Sequence, residues 1–144
     1  MKIILILSLL LNFNAIANAT LGGTYTFLNG PSECPTGFLK LKKNLKSKER
    51  ILIFGSKKSW LLNDKNYSHT TENVDGGCYY TLQYELTDIS FNAKTTRKDC
   101  PRFSENATIT ESIELKKRIL KYSYNLIPSQ GVSTALTCTY NKTK

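Results

Sequence analysis

The chain predicts an all-β fold, an antiparallel meander of about eight to ten strands, closed or nearly closed into a barrel and held by two disulfides. Three observations predict it. Short runs of period-two alternation recur along the chain, each ended by a cluster of turn residues. Those runs are filled by β-branched and aromatic residues and contain all 8 tyrosines. The 4 cysteines form an even set behind an export leader, which points to two disulfides rather than free thiols.

The leader is residues 1–19. Lys2 supplies the positive start, Ile3 to Phe13 an apolar core short for a membrane span, and Ala17-Asn18-Ala19 the small-x-small site. Cleavage is expected after Ala19. No stop-transfer pattern follows, and no cysteine stands at the cut to carry a lipid. The expected product is residues 20–144, one domain in a secreted or periplasmic compartment, with no membrane span once the leader is gone. Without Lys2 it carries 19 basic residues against 11 acidic ones, a charge of +8. Sequons stand at Asn66, Asn106 and Asn141. The leader and the lysine- and asparagine-heavy composition have a bacterial character, which would leave those sequons unused.

In order, GTYTFL at 23–28 runs into Asn29-Gly30-Pro31, and GFLKLKK at 37–43 runs into a lysine-rich link. RILIF at 50–54 and SWLL at 59–62 flank a hairpin tip, Gly55-Ser56-Lys57-Lys58. YSHTTENV at 67–74 is weaker and meets Asp75-Gly76-Gly77. CYYTLQYEL at 78–86 and DISFNAK at 88–94 form a hairpin turning near Thr87. ATITESIEL at 107–115 and RILKYSYNL at 118–126 flank Lys116-Lys117, and TALTCTY at 134–140 is last. Helix competes over 111–122, but Thr108, Thr110, Tyr122 and Tyr124 extend strand alternation through that stretch.

Parity sorts each strand into an apolar face and a wet face. Tyr80, Leu82, Tyr84 and Leu86 share one side; so do Ile89, Phe91 and Ala93, and so do Leu120, Tyr122, Tyr124 and Leu126. Tyr80, Tyr84, Phe91, Tyr122 and Tyr124, with Trp60, could line a small-molecule cavity with a few polar handles. Ring by ring, filling the core is the commoner fate, since the side chains of a small barrel can just fill it.

Glu111 falls in phase with Ile109, Ile113 and Leu115, so a carboxylate lands on the apolar side. Buried, it would require a cation or several donors. Arg118, in phase with Leu120 and Tyr122, is the expected partner in a ligand-anchoring role. The competing reading, a local bulge that turns Glu111 outward, is the one this stretch favours.

Lys40, Lys42, Lys43, Lys46, Lys48 and Arg50 form a basic run, offset by Glu49 alone. Such lysines ordinarily keep sheet edges soluble and unpaired. Converged on one end of the barrel, they would attract an anionic envelope component. Nucleic acid ranks last, since no recognition motif is present.

Catalysis and metals have little support. His69 is the sole histidine, with Ser68, Asp64 and Glu72 near it, but no nucleophile elbow or paired carboxylates accompany it. No Cys-x-x-Cys or Cys-His cluster offers a metal site. The chain reads as a non-enzyme without a cofactor.

LGGTYTFLNG at 21–30 resembles the opening of the calycins, the lipocalin and avidin families. Gly23-Thr24-Tyr25 stands at their Gly-x-aromatic signature, with tyrosine where tryptophan is usual. The resemblance covers that strand and the general rhythm. It implies an up-and-down barrel around a small, often apolar ligand. A sole tryptophan, Trp60, argues against biotin as that ligand.

The expected function is therefore a secreted, non-enzymatic binding protein taking a small, partly apolar ligand in a tyrosine-lined interior. The alternative is a basic protein with a solid core that docks on an anionic envelope component or a protein partner. Four cysteines allow three pairings. The 78–94 hairpin puts position 78 opposite about position 96, favouring Cys78–Cys100. Barrel closure puts the first and last strands side by side, favouring Cys34–Cys138.

Overall fold

The computed structural model describes residues 20–43, 49–63, 65–75, 77–102 and 105–144, with the backbone alone over 68–75. The leader, Lys46, Lys48 and Asp64 lie outside the described residues, as do the side chains of Ser68, His69 and Glu72. The described residues form ten strands: β1 (Gly23–Asn29), β2 (Gly37–Lys43), β3 (Arg50–Phe54), β4 (Lys58–Leu62), β5 (Tyr67–Asp75), β6 (Cys78–Leu86), β7 (Ser90–Lys98), β8 (Ala107–Lys116), β9 (Ile119–Pro128) and β10 (Thr134–Lys142). The 111–122 stretch is strand and turn, so the alternation outweighs the helix formers it contains.

All ten strands form one antiparallel sheet in the order β4-β3-β2-β1-β10-β9-β8-β7-β6-β5. The first and last strands pair as expected, with Phe27 opposite Tyr140. The opening lies elsewhere. Among the described residues no ladder joins β4 to β5, although they are consecutive in sequence. Their connection spends its polar groups on side-chain and irregular bonds instead. Arg50 donates from Nε to the Asn63 carbonyl and from Nη1 to Asn66 Oδ1, both at 2.9 Å. The Asn63 amide donates to the Tyr84 hydroxyl at 3.1 Å, and the Leu86 amide to the Asn66 carbonyl at 2.6 Å. The sheet is thus a curled half-barrel whose seam is stitched by two asparagines.

Both disulfides form in the expected pairing, Cys34–Cys138 and Cys78–Cys100. The register differs from expectation. Leu86 faces Phe91 and Tyr79 faces Lys98, which puts position 78 level with position 99 rather than 96. The cause is a longer turn: Thr87 Oγ1 accepts from the Ser90 amide at 2.9 Å, and Thr87 donates its own amide to the Ser90 carbonyl. β7 accordingly begins at Ser90 and runs to Lys98. Across the sheet, Gly30 lies against the Cys34–Cys138 bridge. A Cβ there would meet Cys34 Sγ at 2.7 Å and the Thr137 carbonyl oxygen at 2.9 Å, and the φ of +141° disfavours other residues.

The core sits inside the curl. Phe54, Phe91, Ile113, Leu120, Tyr122, Cys138 and Tyr140 are completely buried there. One expected feature fails on β3 and β4, whose outward sides are not wet: Ile51 and Ile53 are half-buried and Leu61 is exposed.

Candidate functional site

A buried carboxylate is the central feature of the interior. β8 runs in unbroken register, Glu111 facing Ala93 on β7 and Tyr124 on β9. With no bulge to turn it, strand alternation carries Glu111 inward, where it is 8% exposed. This overturns the outward-bulge reading. Three donors compensate the burial. Trp60 Nε1 donates to Oε2 at 2.7 Å, and the Tyr122 hydroxyl donates to Oε1 at 2.6 Å. The Lys58 ammonium lies 3.0 Å from Oε1 and 4.5 Å from the Tyr124 ring centroid.

Arg118 is not the partner. It lies exposed by the β8–β9 turn, six positions from the Tyr124 that faces Glu111, and donates to the Lys142 carbonyl. Lys58 supplies the charge instead, because the curl brings β4 over β8. Lys58 reads in sequence as a hairpin tip, but it belongs to β4 and shares parity with Trp60 and Leu62. That parity was the available signal.

The other expected lining residues pack against each other. Phe91 and Tyr122 are completely buried and Tyr84 is 5% exposed, while Tyr80 and Tyr124 are half-buried. Trp60 meets Phe91 at 5.0 Å between ring centroids, Tyr84 meets Phe91 at 6.4 Å, and Phe54 meets Tyr122 edge-on at 5.9 Å. Burial and the adjacent Glu111 carboxylate push the Tyr122 hydroxyl far above the ordinary tyrosine range, so it stays a neutral donor. Burial raises Tyr140 as well and pushes Tyr25 up to about 12. The Tyr25 hydroxyl donates to the Leu21 carbonyl, whereas the Tyr140 hydroxyl has no partner among the described residues.

Two concavities adjoin this core. The first, at the open end of the half-barrel, has a volume of about 580 Å³. Leu21, Leu39, Leu52 and Leu86 form its buried walls, with Leu41 and Arg50 beside them and Asn66, Thr87 and Asp88 on the rim. The backbone closes it from one side, where the Leu21 amide donates to the Asp88 carbonyl at 2.6 Å. Arg50 was expected on the anionic surface with the lysines. It is in phase with Leu52 and Phe54, however, and its guanidinium turns into the seam. One guanidinium nitrogen, Nη2, is buried there with no hydrogen-bond partner among the described residues. Lys40, Lys42 and Lys43 do stand exposed on β2, as expected.

The second concavity, about 860 Å³ and broadly open, lies across β6–β10. Its side chains include Gln83, Asn92, Lys94, Thr110, Ser112, Ser123, Asn125 and Thr137, all of opposite parity to the buried residues between them. It is therefore a groove on the outer face whose side chains are mainly hydroxyls and amides, with Lys94 and Ala135 among them.

Compared with known proteins, the chain matches no family model, no curated protein and no solved structure. The two disulfides mark a chain suited to an oxidising environment of the extracellular or periplasmic kind.

Proposed function

We propose that this is an exported, non-enzymatic binding protein whose ligand seat is the open end of the half-barrel. Its ligand is a small, partly apolar molecule carrying an anionic group. The observation that carries this reading is Arg50 Nη2, a buried cationic donor without a hydrogen-bond partner among the described residues, on a recess walled by leucines. A buried donor left unpaired costs free energy that an incoming carboxylate, sulfonate or phosphate oxygen would recover. The leucines would take the apolar part. This moves the seat from the tyrosine-lined centre, where the rings pack on each other and Glu111 is held by three donors of its own chain, to the mouth.

Fluorescence titration with an anilinonaphthalene sulfonate tests it, alongside an uncharged apolar dye. Saturable binding of the sulfonate with little salt dependence is expected. Arg50→Met should weaken it about 10-fold or more and leave the uncharged dye nearly unchanged, since a charge-assisted bond contributes roughly 1.5–3 kcal/mol. Equal weakening of both dyes, or no saturable binding by the wild-type protein, would refute the reading. Export is tested separately: the amino terminus of protein recovered outside the cytoplasm should be Thr20.

A further inference from the structure

We infer that the outer face of β2, β3 and β4 docks the protein on an anionic lipid bilayer. The register assembles this face from two rows. Lys40 stands opposite Ile53, and Lys42 stands opposite Ile51, which in turn faces Leu61. Phe38 extends the patch, with the Lys40 ammonium 4.3 Å from its ring centroid. Leu61 is 56% exposed and Phe38 39% exposed, and both lysines are open to solvent. β4 is also an edge of the sheet, so among the described residues no strand limits access from that side.

Composition sets this face apart. β2, β3 and β4 contain no aspartate or glutamate, whereas the matching outer face of β6–β10 carries hydroxyls, amides and acidic as well as basic groups between its exposed Tyr79, Ile119 and Ile127. Apolar side chains placed between lysines are suited to a surface that is anionic outside and oily just beneath. Each lysine near such a surface contributes about 1 kcal/mol, and a leucine entering the headgroup boundary adds a similar amount. A hydrated polyanion would answer the lysines and leave Ile51, Ile53 and Leu61 in water. A second copy of this chain would place lysines against lysines on a molecule of net charge +9. Charge complementarity therefore selects the bilayer. Lys40 borders both this face and the recess, but Leu61 and Lys42 do not line that recess, and they set the inference apart from the ligand seat.

Vesicle co-sedimentation of the full chain tests it, using phosphatidylcholine alone and phosphatidylcholine with one-third phosphatidylglycerol. Wild type, Lys40→Glu/Lys42→Glu and Leu61→Ser are compared, and circular dichroism establishes that each variant keeps its strand spectrum. The amino-terminal segment is common to all three, so differences between them report on the patch. Binding to the anionic vesicles is expected to fall about 30-fold or more in the double variant and about 10-fold in Leu61→Ser. It should also weaken with salt. Equal binding by all three proteins would overturn the inference, as would equal binding to the two kinds of vesicle. So would a soluble polyanion bound equally well by wild type and Leu61→Ser, or concentration-dependent self-association that Leu61→Ser abolishes. Because Leu61→Ser leaves both Arg50 and Lys40 of the recess intact, loss of its vesicle binding with sulfonate binding retained separates this surface from the ligand seat.

Discussion

The indole N–H of Trp60 on β4 donates to the carboxylate of Glu111 on β8 at 2.7 Å, across 51 residues of chain. No ladder joins those strands. The bond therefore reports how the sheet curls, and it makes Glu111 a tie across the interior. Glu111→Ala would orphan the Trp60 and Tyr122 donors together, with a loss of about 3–5 kcal/mol in chemical denaturation. Trp60→Phe should cost about 1–3 kcal/mol. Lys58→Met should cost about 1 kcal/mol or less, because the Lys58 side chain is 32% exposed and water can share its charge. A larger loss at Lys58 than at Glu111 would contradict this ranking.

Two completely buried tyrosines should respond oppositely to loss of the hydroxyl. Tyr122 donates to Glu111, while the Tyr140 hydroxyl lacks a partner among the described residues. Tyr122→Phe is expected to destabilise by about 1–3 kcal/mol, and Tyr140→Phe to be neutral or stabilising by about 1 kcal/mol. Urea midpoints for the two variants decide it.

Alkaline pH should unfold the protein through these same groups. Folding raises the tyrosine pKa from 10.0 to about 12 at Tyr25 and raises it further at Tyr122 and Tyr140. A raised folded value means the native state keeps its proton where the unfolded chain has released it. Stability is therefore flat with respect to these groups below pH 10 and falls above it, by up to about 1.4 kcal/mol per pH unit per tyrosine. For Tyr25 the loss ends near pH 12; for the other two it continues. Denaturant melts at increasing pH, read together with phenolate absorbance, should show ionisation of these groups coinciding with unfolding.

The two disulfides should contribute unequally. A bridge spanning 104 residues removes more unfolded-state freedom than one spanning 22, about 5 against about 3 kcal/mol in the chain-entropy account. Cys34→Ala/Cys138→Ala should thus lower the melting temperature more than Cys78→Ala/Cys100→Ala. Gly30→Ala, which drives a methyl into the Cys34 sulfur, should resemble the former.

The strands and both bridges were legible because they depend on local alternation and on the topology that alternation implies. GFLKLKK and RILIF mark β2 and β3 to the residue. Side-chain partners were less legible. Neither the outward turn favoured for Glu111 nor its pairing with Arg118 across the hairpin is found; its Trp60 and Lys58 partners come from β4, brought over by the curl of the whole sheet. Arg50 and Lys58 were absorbed into basic runs, although parity with Leu52 and with Trp60 places both inside. The gap between β4 and β5 had no local signature, since it rests on which atoms Asn63 and Asn66 bind.

Amide chemical-shift mapping during titration with an anilinonaphthalene sulfonate tests the ligand seat most directly. The account predicts saturable shifts at Leu21, Leu39, Arg50, Leu52 and Leu86, the residues of the recess at the open end. Shifts centred instead on Tyr122 and Phe91 in the interior, or on Asn92 and Thr110 of the outer groove, would contradict it.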